Sequence, residues 1–361
     1  ALTRGIGRAA DMHIRIKDSL ALERLDKADV VVFDKTGTLT EGQPTVTAWL
    51  WAQYQEEDFK RILLATEMNS PDPLAAAITA ALREERITPA PLDGCGVLKG
   101  KGVKSLCNGT EYWVGSHKLL KDYRAYLSDV LGDMLVEYES EGNSIVYFGR
   151  EDELLAIIAV KDRLKATASG VVKELRGQGL DICMLTGDGE RTASAIAGKL
   201  GIIRYMSDAQ PEDKEAFIRE LRLQGKKVVM VGDGVNDSPA LSEADAGIAM
   251  SDGAAIAREI ADITICSADV SIAAGASAGD GLADKAMIVM KSADLQSLPR
   301  LFGLSRHTLR LMRRNFFRTM AFHLAGVLVA AGILYPVYGI LLTPILAVTV
   351  IALSCIMPVK G

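Results

Sequence analysis

Residues 30–40 read Val30-Val31-Val32-Phe33-Asp34-Lys35-Thr36-Gly37-Thr38-Leu39-Thr40, an apolar, largely β-branched run that ends in a carboxylate and a Gly/Thr turn. Such a run predicts an interior strand of a parallel sheet, covered on both faces. Open α/β sheets bind ligands beyond the carboxyl ends of their strands. Asp34 is therefore expected where a phosphate would meet the backbone N–H groups of residues 35–38. An Asp here could instead cap a turn; chemistry is favoured because two further clusters suited to phosphate follow downstream.

The first is Thr186-Gly187-Asp188, which closes a predicted strand at Ile182–Thr186 and offers a hydroxyl and backbone N–H groups to phosphoryl oxygens. The second is Val231-Gly232-Asp233-Gly234-Val235-Asn236-Asp237, which closes a predicted strand at Lys227–Gly232 and sets two carboxylates four residues apart on a Gly turn. Hard oxygen donors of this kind suit Mg²⁺, which takes one or two carboxylates and leaves its other positions to phosphate and water. Lys214, opening the helix before that strand, supplies a point charge; alone it would read as a solvated surface lysine. Together these groups imply in-line phosphoryl transfer to Asp34 and an aspartyl phosphate product. Thr36 stands two residues after the nucleophile, where a hydrolase would want a carboxyl acid/base, so the phosphoenzyme is expected to persist.

Outward from these motifs the organisation is discontinuous. From Leu155 onward strand and helix alternate: Ala156–Val160, a helix around Ala166–Gln178, Ile182–Thr186, helices Glu190–Leu200 and Glu212–Leu223, then Lys227–Gly232. That is the pattern of an α/β doubly wound parallel sheet, and the strand ending at Asp34 must join it. Residues 1–41 are read as a lead-in and the first part of this domain. Residues 42–154, with short strands and Gly-rich turns, form an inserted α+β domain. Residues 155–300 complete the first domain, and 301–361 hold a basic segment and two apolar helices.

A length of 361 residues with 49% hydrophobic content allows two or three domains. The net charge of −5 argues against nucleic acid as a partner. The five cysteines are scattered without C-x-x-C spacing, which supports neither a disulfide framework nor a zinc ribbon. From Phe316 to Met357 the chain is almost continuously apolar, broken at Tyr335-Pro336-Val337-Tyr338-Gly339. Two spans of about 18–20 residues would each cross a bilayer. Arg306, Arg310, Arg313, Arg314 and Arg318 precede them, and by the positive-inside rule that flank and everything upstream face the cytoplasm. A buried helical hairpin is the alternative.

Taken jointly, Asp34-Lys35-Thr36-Gly37-Thr38-Leu39-Thr40, Thr186-Gly187-Asp188 and Gly232-Asp233-Gly234-Val235-Asn236-Asp237 resemble the signature motifs of P-type ATPases, within the haloacid dehalogenase-like superfamily. The resemblance implies that fold, ATP and Mg²⁺ as cofactors, Asp34 as nucleophile, and Lys35, Thr36, Thr186, Gly187, Asp188, Lys214 and Asn236 around it. Asp34, Thr36, Asp233 and Asp237 would hold Mg²⁺, and Asp162 would belong with the catalytic domain. The inserted domain resembles the nucleotide-binding domain of the heavy-metal-transporting branch, in a copper-like layout, where Glu67, Gly100 and Gly102 would contact ATP. In Ser70-Pro71-Asp72-Pro73-Leu74, Asp72 stands where that branch carries a His that seats adenine.

The apolar spans would match the last two membrane helices of a metal pump, making the chain an integral membrane protein with cytoplasmic catalytic domains. Copper pumps of this branch carry Tyr-Asn in the first of these helices and a Met near a Ser pair in the second; here Phe322-His323, Ile351 and Ser354-Cys355 align there. His323 and Cys355 are candidate ligands for the transported cation, being soft to borderline donors, although either could serve packing. No Thr-Gly-Glu or Cys-Pro-Cys occurs; both lie upstream of the phosphorylation site in the family. The chain is thus expected to be the C-terminal part of a longer pump, lacking upstream transmembrane and actuator regions and not transporting alone. Two rivals remain: a membrane-anchored phosphohydrolase of the same superfamily, and a non-catalytic fragment.

Overall fold

The computed structural model describes residues 14–16, 19–52, 56–232, 237–250, 263–265, 288–290 and 295–330. The chain enters one sheet, leaves it to build a second, and returns. Strand β1 (Ile14–Ile16) and helix α1 (Ser19–Asp26) lead to β2 (Val30–Asp34). Next come β3 (Thr45–Trp51), α2 (Glu56–Glu67), α3 (Pro73–Glu84), β4 (Gly94–Leu98), β5 (Gly102–Cys107), β6 (Thr110–Gly115), α4 (His117–Asp122), α5 (Asp129–Ser140), β7 (Ser144–Arg150) and β8 (Glu153–Lys161). The return runs through α6 (Ala168–Gly177), β9 (Asp181–Leu185), α7 (Glu190–Leu200), β10 (Arg204–Met206), α8 (Pro211–Leu223) and β11 (Val228–Gly232). It ends with α9 (Ser238–Glu243), β12 (Ala246–Met250), β13 (Ile263–Ile265), β14 (Ile288–Met290) and α10 (Ser297–Ala330).

The first sheet has the order β1-β14-β13-β12-β11-β2-β9-β10, parallel except where β1 pairs with β14. β2 is interior, with Val31 opposite Val229 on one side and Ile182 on the other. The alternating faces of a strand explain its all-apolar sequence. Val31 and Phe33 pack toward α1, α6, α7 and α10, whereas Val30 and Val32 pack with Phe217, Ile218 and Leu221 of α8. Each such side chain contributes about 1.5–3 kcal/mol on burial, so the strand that delivers Asp34 is rigidly seated.

The second sheet is antiparallel, in the order β3-β8-β7-β6-β5-β4. This corrects the expectation that Ala156–Val160 resumes the parallel sheet, because those residues form the centre of β8 between β3 and β7. The reason is that β8 is covered on both faces. Ala156, Ile158 and Val160 share a core with Phe59, Leu63, Ile78 and Leu82 of the helices α2 and α3, while Leu154 and Ile157 pack with Trp113, Leu119 and Leu135. A doubly covered antiparallel strand carries the same unbroken apolar run as a parallel one. The inserted sheet therefore continues past residue 154 to Lys161. Asp162 then ties the two crossings together: its Oδ2 accepts from Thr40 Oγ1 at 2.5 Å and its Oδ1 from the Gln43 amide at 3.2 Å.

Helix α10 has two halves. In the first, Leu298, Leu301, Phe302 and Leu309 are buried and Ser305 Oγ donates to Leu22 O at 2.5 Å. Arg306, one of the arginines of the basic flank, donates to Gln178 O at 2.6 Å. In the second half Phe316, Phe317, Met320, Leu324 and Val327 are exposed. Among the described residues no helix is long and apolar enough to cross a membrane. The two expected spans are thus not seen there: the description of the first stops at residue 330, and the second lies in 331–361, outside the described residues.

Candidate active site

Asp34 ends β2 in extended conformation, and the turn Lys35–Leu39 follows at once. That turn is closed by Thr40, whose N–H donates to Lys35 O at 3.1 Å and whose Oγ1 accepts from the Gly37 amide at 2.9 Å. Lys165 fastens it from outside by donating to Gly37 O at 2.9 Å. Thr36 sits in the turn, partly exposed, two residues beyond the carboxylate.

Helix α8 starts at Pro211, with Gln210 and Asp213 in a reciprocal capping box, so Lys214 lies one turn into the helix. Its buried Nζ donates to Asp34 Oδ1 at 2.5 Å and to Asp237 Oδ1 at 2.8 Å. Burial alone would lower the lysine, but the charges of Asp34 and Asp237 overcome it and hold the ammonium above its ordinary range. The Asp34 carboxyl is pushed up to about 6, first by burial and then by the negative charge of Asp237, against the pull of Lys214. Asp237 reaches this position by folding back over the end of β11, where a Cβ on Gly232 would lie 2.6 Å from its Oδ2.

A second pair lies alongside. Lys35 Nζ meets Asp188 Oδ2 at 2.5 Å, and Thr186 Oγ1 donates to the same oxygen at 2.8 Å. The other oxygen accepts from Ser144 Oγ, at the start of β7 in the inserted sheet, also at 2.5 Å. Burial opposes ionisation of Asp188, but Lys35 and then the two hydroxyls hold its carboxyl below the usual range.

The structure thus brings Asp34, Lys35, Thr186, Asp188, Lys214 and Asp237 together at the carboxyl ends of β2, β9 and β11, with Gly187 between Thr186 and Asp188. Asp233 and Asn236 lie outside the described residues. Ser144 and Lys165 were not anticipated, since neither belongs to a phosphate motif and each acts across a long sequence separation.

The residues expected at the nucleotide are placed differently. Glu67 closes α2, buried, with its carboxyl pushed up to about 8 by burial and then by the Asp72 charge. Asp72 is the N-cap of α3: its Oδ1 accepts from the Leu74 amide at 2.8 Å, with Pro73 at the first helical position. Protein crowding raises the Asp72 carboxyl, the Leu74 amide lowers it, and the charges of Asp188 and Lys35 reach it with opposite signs. Gly102 has φ +147°, and a Cβ there would come within 2.0 Å of Val114 O. Gly100 O accepts from Gln210 Nε2 at 3.3 Å, and Lys99 pairs with Glu212 at 2.5 Å. The Gly-rich turn therefore rests on the start of α8, the helix that carries Lys214.

His323 is exposed on α10, and Cys355 lies outside the described residues. Among the described residues no three His, Cys, Asp or Glu side chains gather to hold a metal ion. The strand-end cluster nevertheless fits Mg²⁺ by its donor set. Asp34 and Asp237 are two buried carboxylates that both meet the Lys214 ammonium, and together they gather hard oxygen donors at one point. The buried hydroxyls of Thr38, in the turn after β2, and of Ser238, at the start of α9, also find no hydrogen-bond partner among the described residues.

The family described as haloacid dehalogenase-like hydrolase matches residues 28–245. The chain is 34% identical over 352 residues to a copper-exporting P-type ATPase of Legionella pneumophila, covering 98% of this chain and 44% of that protein. It is 37% identical over 355 residues to a silver exporting P-type ATPase of Salmonella typhimurium, covering 98% and 40%. The chain therefore spans less than half the length of these curated relatives. Among solved structures it is similar to a zinc-transporting PIB-type ATPase in the E2.Pi state, with TM-score 0.63 and 31% identity over 99% of this chain and 53% of that one. It is also similar to the catalytic domain of the CPx-ATPase CopB-B, with TM-score 0.61 and 25% identity over 83% of this chain and 98% of that one.

Proposed function

The chain belongs to the haloacid dehalogenase-like hydrolases, and on that premise we propose that it is the catalytic portion of an ATP-driven pump for a heavy-metal cation, copper-like, working through an aspartyl phosphate on Asp34. One geometric fact carries the reading. A buried lysine bridges the carboxylate at the end of β2 to a second carboxylate beyond β11, at 2.5 and 2.8 Å, where an α/β sheet presents its ligands.

In the proposed reaction an Asp34 carboxylate oxygen attacks the γ-phosphorus of ATP, the bond to the bridging oxygen breaks, and ADP leaves. Lys214, already aimed at Asp34, offsets the charge of the arriving phosphoryl oxygens. Lys35 is directed by Asp188, and the backbone of the 35–39 turn is held for the phosphate by Thr40 and Lys165. Asp34 and Asp237, with Asp233, would hold Mg²⁺, which when bound supplies positive charge beside the phosphoryl group. Thr36 offers no carboxyl to activate water, so the acyl phosphate lasts long enough to drive a conformational cycle.

The nucleotide is assigned to the inserted domain, with Glu67, Gly100 and Gly102 as its contacts. The apolar tract after residue 316 and the arginines before it support an integral membrane protein with its catalytic domains in the cytoplasm. The copper and silver transporters among its relatives support a heavy-metal cargo. Incubation with radiolabelled ATP and Mg²⁺ tests the chemistry. The expected result is an acid-stable, hydroxylamine-labile phosphoprotein, absent in Asp34→Ala; steady phosphate release without such an intermediate would favour a phosphohydrolase, and no binding of an ATP analogue at millimolar concentration a non-catalytic fragment.

A further inference from the structure

We infer that Ser144, supplied by the inserted sheet, is a positioning residue for phosphoryl transfer, acting through Asp188 on Lys35; the inference rests on the reading of Asp34 as phosphoryl acceptor. Lys35 is bonded to the nucleophile's own residue, and its buried ammonium could turn toward either Asp34 or Asp188. In the structure it faces Asp188 Oδ2, where Thr186 Oγ1 also donates. The orientation of that carboxylate is set by its other oxygen, which takes the Ser144 hydroxyl at 2.5 Å. Two hydroxyls, one on each oxygen, thus fix the plane of Asp188, and the carboxylate fixes Lys35. Asp34 is left to Lys214 and to the incoming phosphoryl group.

Ser144 is itself held firmly. The preceding carbonyl, Asn143 O, accepts from the buried Thr192 Oγ1 of α7 at 2.7 Å. Asn143 Oδ1 accepts from Thr47 Oγ1 at 2.8 Å, and its Nδ2 donates to Tyr138 O at 2.8 Å. Lys199 Nζ donates to Glu141 O at 2.6 Å, and Arg191 pairs with Glu139 at 3.2 Å. The 139–144 turn is therefore fastened along α7, which delivers the hydroxyl to one place. The first residue of a strand needs no hydroxyl for its ladder, and this one is buried against an ionised carboxylate. Removing it leaves a buried anionic oxygen short of a donor, and Asp188 can relieve that only by turning, which carries Lys35 with it.

The test measures the rate of acid-stable phosphoenzyme formation from radiolabelled ATP across ATP concentrations, for the wild-type chain, S144A, S144T and S144V. The expected result is a rate at saturating ATP about tenfold lower in S144A and S144V, half-saturation within about twofold of wild type, and recovery to within about threefold in S144T. Thr and Val match in shape and differ in the hydroxyl, so their ratio remains decisive even if S144A melts early. Equal rates for S144T and S144V would overturn the inference, as would a raised half-saturation with an unchanged maximal rate, which would make Ser144 a nucleotide contact. A wild-type chain that forms no phosphoenzyme would instead remove the reading of Asp34, and this inference with it.

Discussion

The cluster at the ends of β2, β9 and β11 and the residues Glu67, Asp72, Gly100 and Gly102 of the inserted domain stand in opposite relations to the fold. At the strand ends, Lys214, Asp34 and Asp237 are buried charges that no packing requirement calls for, and desolvating them costs several kcal/mol per ion. In the inserted domain most of the expected site residues have folding tasks. Asp72 caps α3, Gly102 lets β5 approach β6, and Gly100 meets Gln210 at the start of α8. Charge held in the interior against the fold's interest points to chemistry. A residue the fold already needs supports either reading until it is substituted.

The largest effect should come from Lys214→Ala, which removes the ammonium that two buried carboxylates share. A loss of about 3–5 kcal/mol in urea unfolding is expected, with phosphoenzyme formation below about 1% of wild type. Wild-type stability in this variant would break the comparison at its stronger side. Next comes Glu67, the one expected nucleotide-side residue that is also a buried acid. Its carboxyl rises from 4.5 to about 8 on folding. Between those values the folded state binds the extra proton, so this group's stabilising contribution is complete below pH 4.5 and is lost as pH rises through about 8. Glu67→Gln should remove that pH dependence and be a few kcal/mol more stable than wild type, relative to its pH 4 difference, at pH 8. Parallel thermal melts of both proteins across this range would show a constant difference if Glu67 were ordinary.

Gly102→Ala should cost about 1–3 kcal/mol through the contact with Val114 O and the strained φ. If Gly102 also touches nucleotide, affinity for an ATP analogue will fall further than stability does. Asp72→Ala should be mildest, near 1 kcal/mol for a lost cap, with Asp72→Asn nearly neutral because Asn caps as well. Calorimetry of both variants with an ATP analogue sharpens the comparison: equal affinities leave Asp72 as a cap only, while a drop in both assigns it to the nucleotide.

What could be read from the chain beforehand was what depends on neighbours in sequence. The run Val30–Phe33 and the turn after Asp34 declare an interior strand and a phosphate loop within eleven residues, and the carboxylates near Gly232 do the same. β8 reads as a parallel strand from its sequence because its two covering layers come from residues 59–82 and 113–135, which no local window contains. Ser144 was invisible for the same reason, 44 residues from Asp188. The docking of α10 through Ser305 and Arg306 depends on Leu22 and Gln178, more than a hundred residues away. Asp72-Pro73 is locally legible as a helix start, an Asp cap followed by Pro, and that task leaves its relation to the nucleotide open to the test above.

The central claim concerns one covalent bond, and chemical trapping tests it most directly. The chain is incubated with ATP and Mg²⁺, quenched in acid, reduced with borohydride and digested, and the peptides are read by mass spectrometry. An acyl phosphate on Asp34 predicts reduction to homoserine at position 34 and nowhere else, dependent on ATP. Turnover of ATP with position 34 unreduced, or with the reduced residue elsewhere, would contradict it.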